Sequence, residues 1–222
     1  MAVAVSSAML RSVPLFASFP EEPLRLLAAV VTRRSATRGS IIMAAGDPTD
    51  SLYIVLSGRL KVMMSDADGK EVTLSTLGPG EFLGEMGLID HSPRSASVVA
   101  IEPCELMAIT RRDFKKCLAE NFDMASAVMR GLVRRLREAD RKIGSLALLD
   151  VYGRVARLLL DMAETVDGQK MVTKRLPKQD IAKMIGASRE MVSRVMKDLQ
   201  MGGYIEVRGS NIVLRDTITL PE

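Results

Sequence analysis

Seven apolar residues, Ala125, Met129, Leu132, Leu136, Ala139, Ile143 and Leu146, recur at alternating steps of four and three. No other feature restricts the fold so tightly, because a 3.5-residue repeat on a helix is the seam of a coiled coil. Between the seam positions lie Arg130, Arg134, Arg135, Arg137, Glu138, Arg141 and Lys142, a charged flank. A helix lying only on its own domain carries a broader apolar stripe. Val128, Val133 and Ala147 form a second apolar edge suited to that packing, which leaves the seam for a twin. Residues 122–149 therefore predict the dimerisation helix of a parallel homodimer.

The period changes on either side of this helix. Residues 39–110 alternate short apolar runs with Gly and Asp turns, as in SLYIVLSG, RLKVMMSDADG, KEVTLSTLGPG and SVVAIEPCELMAI. Such runs read as antiparallel strands of a sandwich or barrel. PEEPLRLLAAVV, residues 20–31, reads as a short helix ahead of them and RRDFKKCLAE as one behind. Beyond the seam, Asp150 separates LALL from the amphipathic VYGRVARLLLDMA. An Asp there can end one helix and cap the next at a new angle, which makes it the expected hinge. TVDGQKMVTKR, residues 165–175, reads as a turn and an approach strand.

In LPKQDIAKMIGASREMVSRVMKDLQ a helix is expected over about 178–185, a turn at Gly186 and a second helix from Ser188 to about Gln200. Ala182, four before the glycine, lets the helices close, and Val192, six after it, fills the angle between them. That spacing is a helix-turn-helix. GGYIEVRGSNIVLRD follows as a hairpin with a Gly-Ser-Asn turn, the wing. Arg189, Glu190, Ser193 and Arg194 are expected to face solvent at the start of the second helix. Residues 170–222 hold ten Lys or Arg against six acids, so the whole net charge of +4 falls in this quarter. A polyanion is the expected partner of this part, and double-stranded DNA fits it.

Apolar residues make up 47% and charged residues 26% of the 222, a globular balance. Two cysteines, Cys104 and Cys117, and one histidine, His91, rule against a disulfide framework. They also weigh against a Cys/His metal site, and the cysteines are expected as buried fillers. The N-terminus has no basic run ahead of its apolar residues, and no stretch has the roughly 20 apolar residues of a membrane span. A cytoplasmic protein without a membrane partner is expected.

GEFLGEMGLIDHSPRSASVVA, residues 80–100, carries Glu85 in an apolar run and Arg94 ahead of a half-buried strand. Nothing nearby in sequence is an obvious partner for Arg94, although charges in such places are usually paired.

With these parts in order, the chain resembles the CRP/FNR family of bacterial transcription regulators from about residue 14 to 215. The likeness is sharpest at Gly84-Glu85…Pro93-Arg94-Ser95-Ala96, at Leu149-Asp150-Val151, and at Gly186-Ala187-Ser188-Arg189-Glu190…Arg194. It implies an α+β fold with an N-terminal antiparallel β-roll of cyclic-nucleotide-binding type over 1–121. The dimerisation helix, 122–149, and a C-terminal winged helix-turn-helix, 150–222, complete it. Arg94 is then the cation for a cyclic phosphate, with Ser95 adding a hydroxyl and the amides near Gly84, Met86 and Ala96 adding donors. Gly84 would let backbone approach the phosphate, and Glu85 would accept from the ribose 2′-OH. Arg135 matches a family arginine that reaches the ligand.

Ala139 and Asp140 stand where cyclic-AMP-binding members carry hydroxyl residues that meet adenine. Asp140 can accept from adenine's amine, but better suits the paired N1–H and N2–H of guanine. Cyclic AMP, cyclic GMP and cyclic di-GMP all stay open, as does the same DNA-binding dimer with a ligand-independent sensor domain. No metal, haem or iron–sulfur cluster is expected. On DNA, Arg189 and Arg194 can each pair with guanine O6/N7, and Glu190 can accept from cytosine N4. Ser188, Ser193, Lys178, Lys197 and Arg208 complete the expected interface, and RNA polymerase is an expected partner. Ligand would favour one seam register and rotate the part beyond Asp150 until both recognition helices match adjacent grooves. An enzyme is the competing class, but no nucleophile–base–acid constellation supports it.

Overall fold

The computed structural model describes residues 5–17 and 19–215. The chain divides into two compact units, Met1–Arg135 and Leu136–Glu222.

In the first unit, α1 (Ser7–Arg11), a 3-10 turn (Pro14–Phe16) and α2 (Glu21–Val30) precede two four-stranded antiparallel sheets. One sheet runs β1 (Thr32–Ala36), β8 (Cys104–Thr110), β3 (Ser51–Ser57), β6 (Phe82–Leu83). The other runs β2 (Ile41–Met43), β7 (Ser97–Ala100), β4 (Leu60–Ser65), β5 (Glu71–Leu77). The strand region thus opens at Thr32, ahead of the expected residue 39. The run SLYIVLSG is apolar throughout because β3 is buried on both faces. Leu52 and Ile54 join Phe16, Phe114, Met124 and Val128 on the helix side, while Tyr53 and Val55 join Leu60, Val98 and Leu106 between the sheets. Each such fully buried side chain contributes roughly 1.5–3 kcal/mol. Cys104 is buried as expected, but Cys117, on α4 (Arg111–Glu120), is half-buried.

A helix of 27 residues follows, α5 (Phe122–Leu148), opened by Asn121 Oδ1 accepting from Met124 N at 2.9 Å. Its packing edge is Met124, Val128 and Gly131 rather than the expected Val128, Val133 and Ala147. Val133 is 49% exposed and Ala147 is exposed too. Gly131 belongs to this edge because a Cβ there would lie 2.7 Å from Phe82 Cζ. Seam residues Met129, Leu136, Ile143 and Leu146 are all more than half exposed, and Leu132 is half-buried.

The second unit is a winged helix-turn-helix. Asp150 caps α6 (Val151–Met162) through Oδ1, which accepts from Gly153 N at 2.8 Å. A hairpin of β9 (Glu164–Val166) and β10 (Gln169–Val172) leads to α7 (Lys178–Ile185) and α8 (Arg189–Met201). Gly186 sits at φ +64° between the two helices, and Ala187 N donates to Ala182 O. Ala182 and Val192 are buried in one core with Val155, Leu159 and Met196. The wing is β11 (Ile205–Arg208) and β12 (Asn211–Leu214), in a sheet ordered 9-10-12-11. Its turn is Gly209–Ser210 alone, since Asn211 already pairs with Arg208. Among the described residues no helix is long and apolar enough to cross a membrane.

Candidate ligand cradle and DNA interface

The backbone of Arg94 is pinned on both sides: its N–H donates to Asp47 O at 2.9 Å and its carbonyl accepts from Gly46 N at 2.8 Å. The side chain turns inward and is only 5% exposed. Nη1 donates to Gly84 O at 3.0 Å and Nη2 to Ser51 O at 2.7 Å. Asp50 Oδ1 lies 3.7 Å away, but on a side chain 83% exposed. The guanidinium is therefore held chiefly by carbonyl dipoles, and burial pushes its pKa down. Such a cation favours an anion at its remaining donors.

Gly84 has φ +84°, and a Cβ on it would lie 2.2 Å from Arg94 Nη1. Its bareness makes room for the guanidinium. The next residue, Glu85, leads into α3 (Met86–Asp90) and is 1% exposed. Oε1 accepts from Arg135 Nη1 at 2.6 Å, while the buried Oε2 has no partner among the described residues. Arg135 also donates to Phe82 O and stacks over the Phe82 ring, 4.9 Å from its centroid.

Sequence reasoning missed both this pairing and Phe82, since Glu85 and Arg135 stand fifty residues apart. Met86 is 52% exposed, with its sulfur 3.8 Å from the hydroxyl of the exposed Ser95. Ala96 is buried. Gly84, Glu85, Met86, Arg94, Ser95, Ala96 and Arg135 thus lie in one linked neighbourhood of the first unit. Ala139 and Asp140 are exposed on α5. His91 closes α3 at φ +65° and is exposed, with Arg111 Nη1 at 2.8 Å and Lys115 Nζ at 3.3 Å.

On the second unit, Ser188 caps α8, its Oγ accepting from Met191 N at 3.2 Å. Arg189, Glu190, Arg194 and Lys197 are exposed. The Glu190 carboxyl is held below its usual range by its own backbone N–H and the Ser188 hydroxyl. Ser193, expected to face solvent, is half-buried, and its Oγ accepts from Lys178 Nζ at 2.9 Å. Arg208 is engaged on the wing by Glu206, at 2.7 and 2.9 Å, and Arg215 shares that carboxylate at 2.6 Å. The Arg208 bond holds the Glu206 carboxyl low.

Comparison with known proteins agrees with both halves. Residues 33–121 match the cyclic nucleotide-binding domain and residues 153–220 the Crp-like helix-turn-helix domain. The chain is 35% identical over 192 residues to the cAMP-activated global transcriptional regulator Vfr of Pseudomonas aeruginosa, covering 83% of this chain and 90% of that one. It is 33% identical over 184 residues to the CRP-like cAMP-activated global transcriptional regulator of Mycobacterium tuberculosis, covering 81% and 82%. The solved structure of the c-di-GMP responsive global regulator CLP of Xanthomonas campestris superposes with a TM-score of 0.75 at 31% identity, covering 89% of this chain and all of that one. With a nucleotide-binding β domain in one unit and a winged helix-turn-helix in the other, the chain belongs to the CRP/FNR family of transcriptional regulators.

Proposed function

We propose that this chain is a cyclic-nucleotide-responsive transcription regulator that works as a homodimer on inverted-repeat operators and has no enzymatic activity. The observation that carries the reading is Arg94, a guanidinium 5% exposed and held mainly by two backbone carbonyls. Its remaining donors suit one phosphodiester charge, and the Ser95 hydroxyl would add another donor. Glu85 Oε2, buried and unpartnered, suits a ribose hydroxyl. Residues 1–121 would hold the nucleotide, 122–149 pair two copies, and 150–222 meet DNA. There Arg189, Glu190 and Arg194 would read base edges, and Lys178, Lys197 and Arg208 would meet phosphates. Two half-sites would lie roughly 34 Å apart. Such a regulator works in the cytoplasm beside RNA polymerase.

Cyclic AMP is the first ligand to test, since it activates the Pseudomonas and Mycobacterium relatives. A second reading, cyclic di-GMP, is favoured by the likeness to CLP and by Asp140, whose carboxylate suits guanine. Isothermal titration with cyclic AMP, cyclic GMP and cyclic di-GMP, followed by anisotropy on an inverted-repeat duplex, tests both. Micromolar binding of one nucleotide that alters DNA affinity is expected. Binding of none would end the nucleotide reading and leave the DNA reading standing.

A further inference from the structure

We infer that the first unit holds a second small-molecule site, separate from the Glu85–Arg94 cradle, for an organic anion with an apolar body. A cleft of about 560 Å³ opens between the N-terminal 3-10 turn, the turn joining β5 to β6, and α5. That volume falls within the range of small-molecule sites. None of Gly84, Glu85, Arg94 or Ser95 lines it.

Two arginines of the lining are cationic. Arg130 and Arg134 stand one helical turn apart on the same face of α5. Among the described residues, Arg130 bonds only the Ser126 hydroxyl of its own helix, at 2.8 Å. Arg134 lies 3.4 Å from Glu81, with its side chain 60% exposed. Two guanidinium forks and one carboxylate line the cleft, a net positive charge, and a planar fork matches a carboxylate or phosphate head. The rest of the lining includes the apolar Pro14, Leu15 and Phe82.

The cleft also lies away from the heptad seam. At about 100° per residue, Arg134 points roughly 180° from the mean direction of Met129, Leu132, Leu136 and Ala139. A twin helix on the seam leaves the cleft open. Phe82 gives the site a reason to matter, because the same ring carries Arg135 and its bond to Glu85. An occupant of the cleft leans on the wall that supports that pair.

Titration calorimetry on the full chain with 4-phenylbutyrate and phenyl phosphate tests this, with 4-phenylbutanol as the neutral counterpart. Both anions should bind at sub-millimolar affinity, about tenfold or more tighter than the alcohol. An R130Q/R134Q chain should lose about tenfold for the anions. Should that double variant melt early, Arg130→Gln alone serves, since among the described residues its guanidinium hydrogen-bonds only Ser126. Intermolecular NOEs should run from the phenyl protons to Leu15 and Phe82. Equal affinity for the alcohol, undiminished binding by the variants, NOEs to Met86 of the cradle instead, or no binding near millimolar probe would each overturn the site.

Discussion

Arg135 Nη1 lies 2.6 Å from Glu85 Oε1, on a carboxylate side chain only 2% exposed, and among the described residues nothing else bonds that carboxylate. A buried ion pair loses most when one partner goes, because the other charge is stranded away from water. Arg135→Ala should therefore cost about 3 kcal/mol in urea denaturation, and adding Glu85→Gln should restore much of it. If the double variant stays as unstable as Arg135→Ala alone, the loss lies in packing on Phe82 and not in a stranded carboxylate.

Arg94 makes a different prediction, because its partners are carbonyls. Lysine keeps the charge but presents a point rather than a fork, so it cannot reach Gly84 O and Ser51 O together in the same geometry. Arg94→Lys should weaken nucleotide binding by about 2–5 kcal/mol in calorimetry, the range for truncating a buried charged contact. DNA binding by the nucleotide-free chain should be unchanged. Unaltered nucleotide affinity would remove Arg94 from the proposed site.

Gly84→Ala meets two penalties: a left-handed φ of +84° and a Cβ placed 2.2 Å from Arg94 Nη1. Gly39→Ala meets only the first, with φ +88° and open space around its Cβ. Both should lose about 1–3 kcal/mol of stability. Only Gly84→Ala should also lose nucleotide affinity, because it displaces the guanidinium. Equal nucleotide binding by the two variants would show that Arg94 need not sit against Gly84.

What the sequence made legible was local. The seam period, the Asp150 cap, and the Ala182, Gly186 and Val192 spacing depend on residues within a few turns of one another, where backbone geometry dictates the pattern. The apolar run of β3 was legible as a strand, and its burial on both faces explains why it does not alternate. What stayed hidden depends on distance in sequence or on the absence of a side chain. Glu85 and Arg135 meet only once β6 and α5 are packed together. Gly131 belongs to the packing edge of α5 yet counts as no apolar residue, so Val133 and Ala147 took its place in the expected edge. Gly84 was legible as a site for close approach, but its contact with Arg94 was not.

Lys178 and Ser193 offer a test of base reading. An ammonium group only donates, so the 2.9 Å bond from Lys178 Nζ to Ser193 Oγ uses the hydroxyl as acceptor and leaves its O–H to donate. At the edge of a major groove, a hydroxyl fixed in that sense favours an acceptor such as guanine O6 or N7, thymine O4 or adenine N7, over the N4 donor of cytosine. Ser193→Ala should relax preference at one base pair by about 1–3 kcal/mol in binding-site selection. Lys178→Ala should relax the same position by a smaller amount, because the hydroxyl remains but is free to turn. If Lys178 also meets a phosphate, its loss should shrink the salt dependence of binding by about one charge. Should Lys178→Ala weaken every sequence equally and leave the base preference intact, Lys178 touches phosphate alone and Ser193 is not oriented by it.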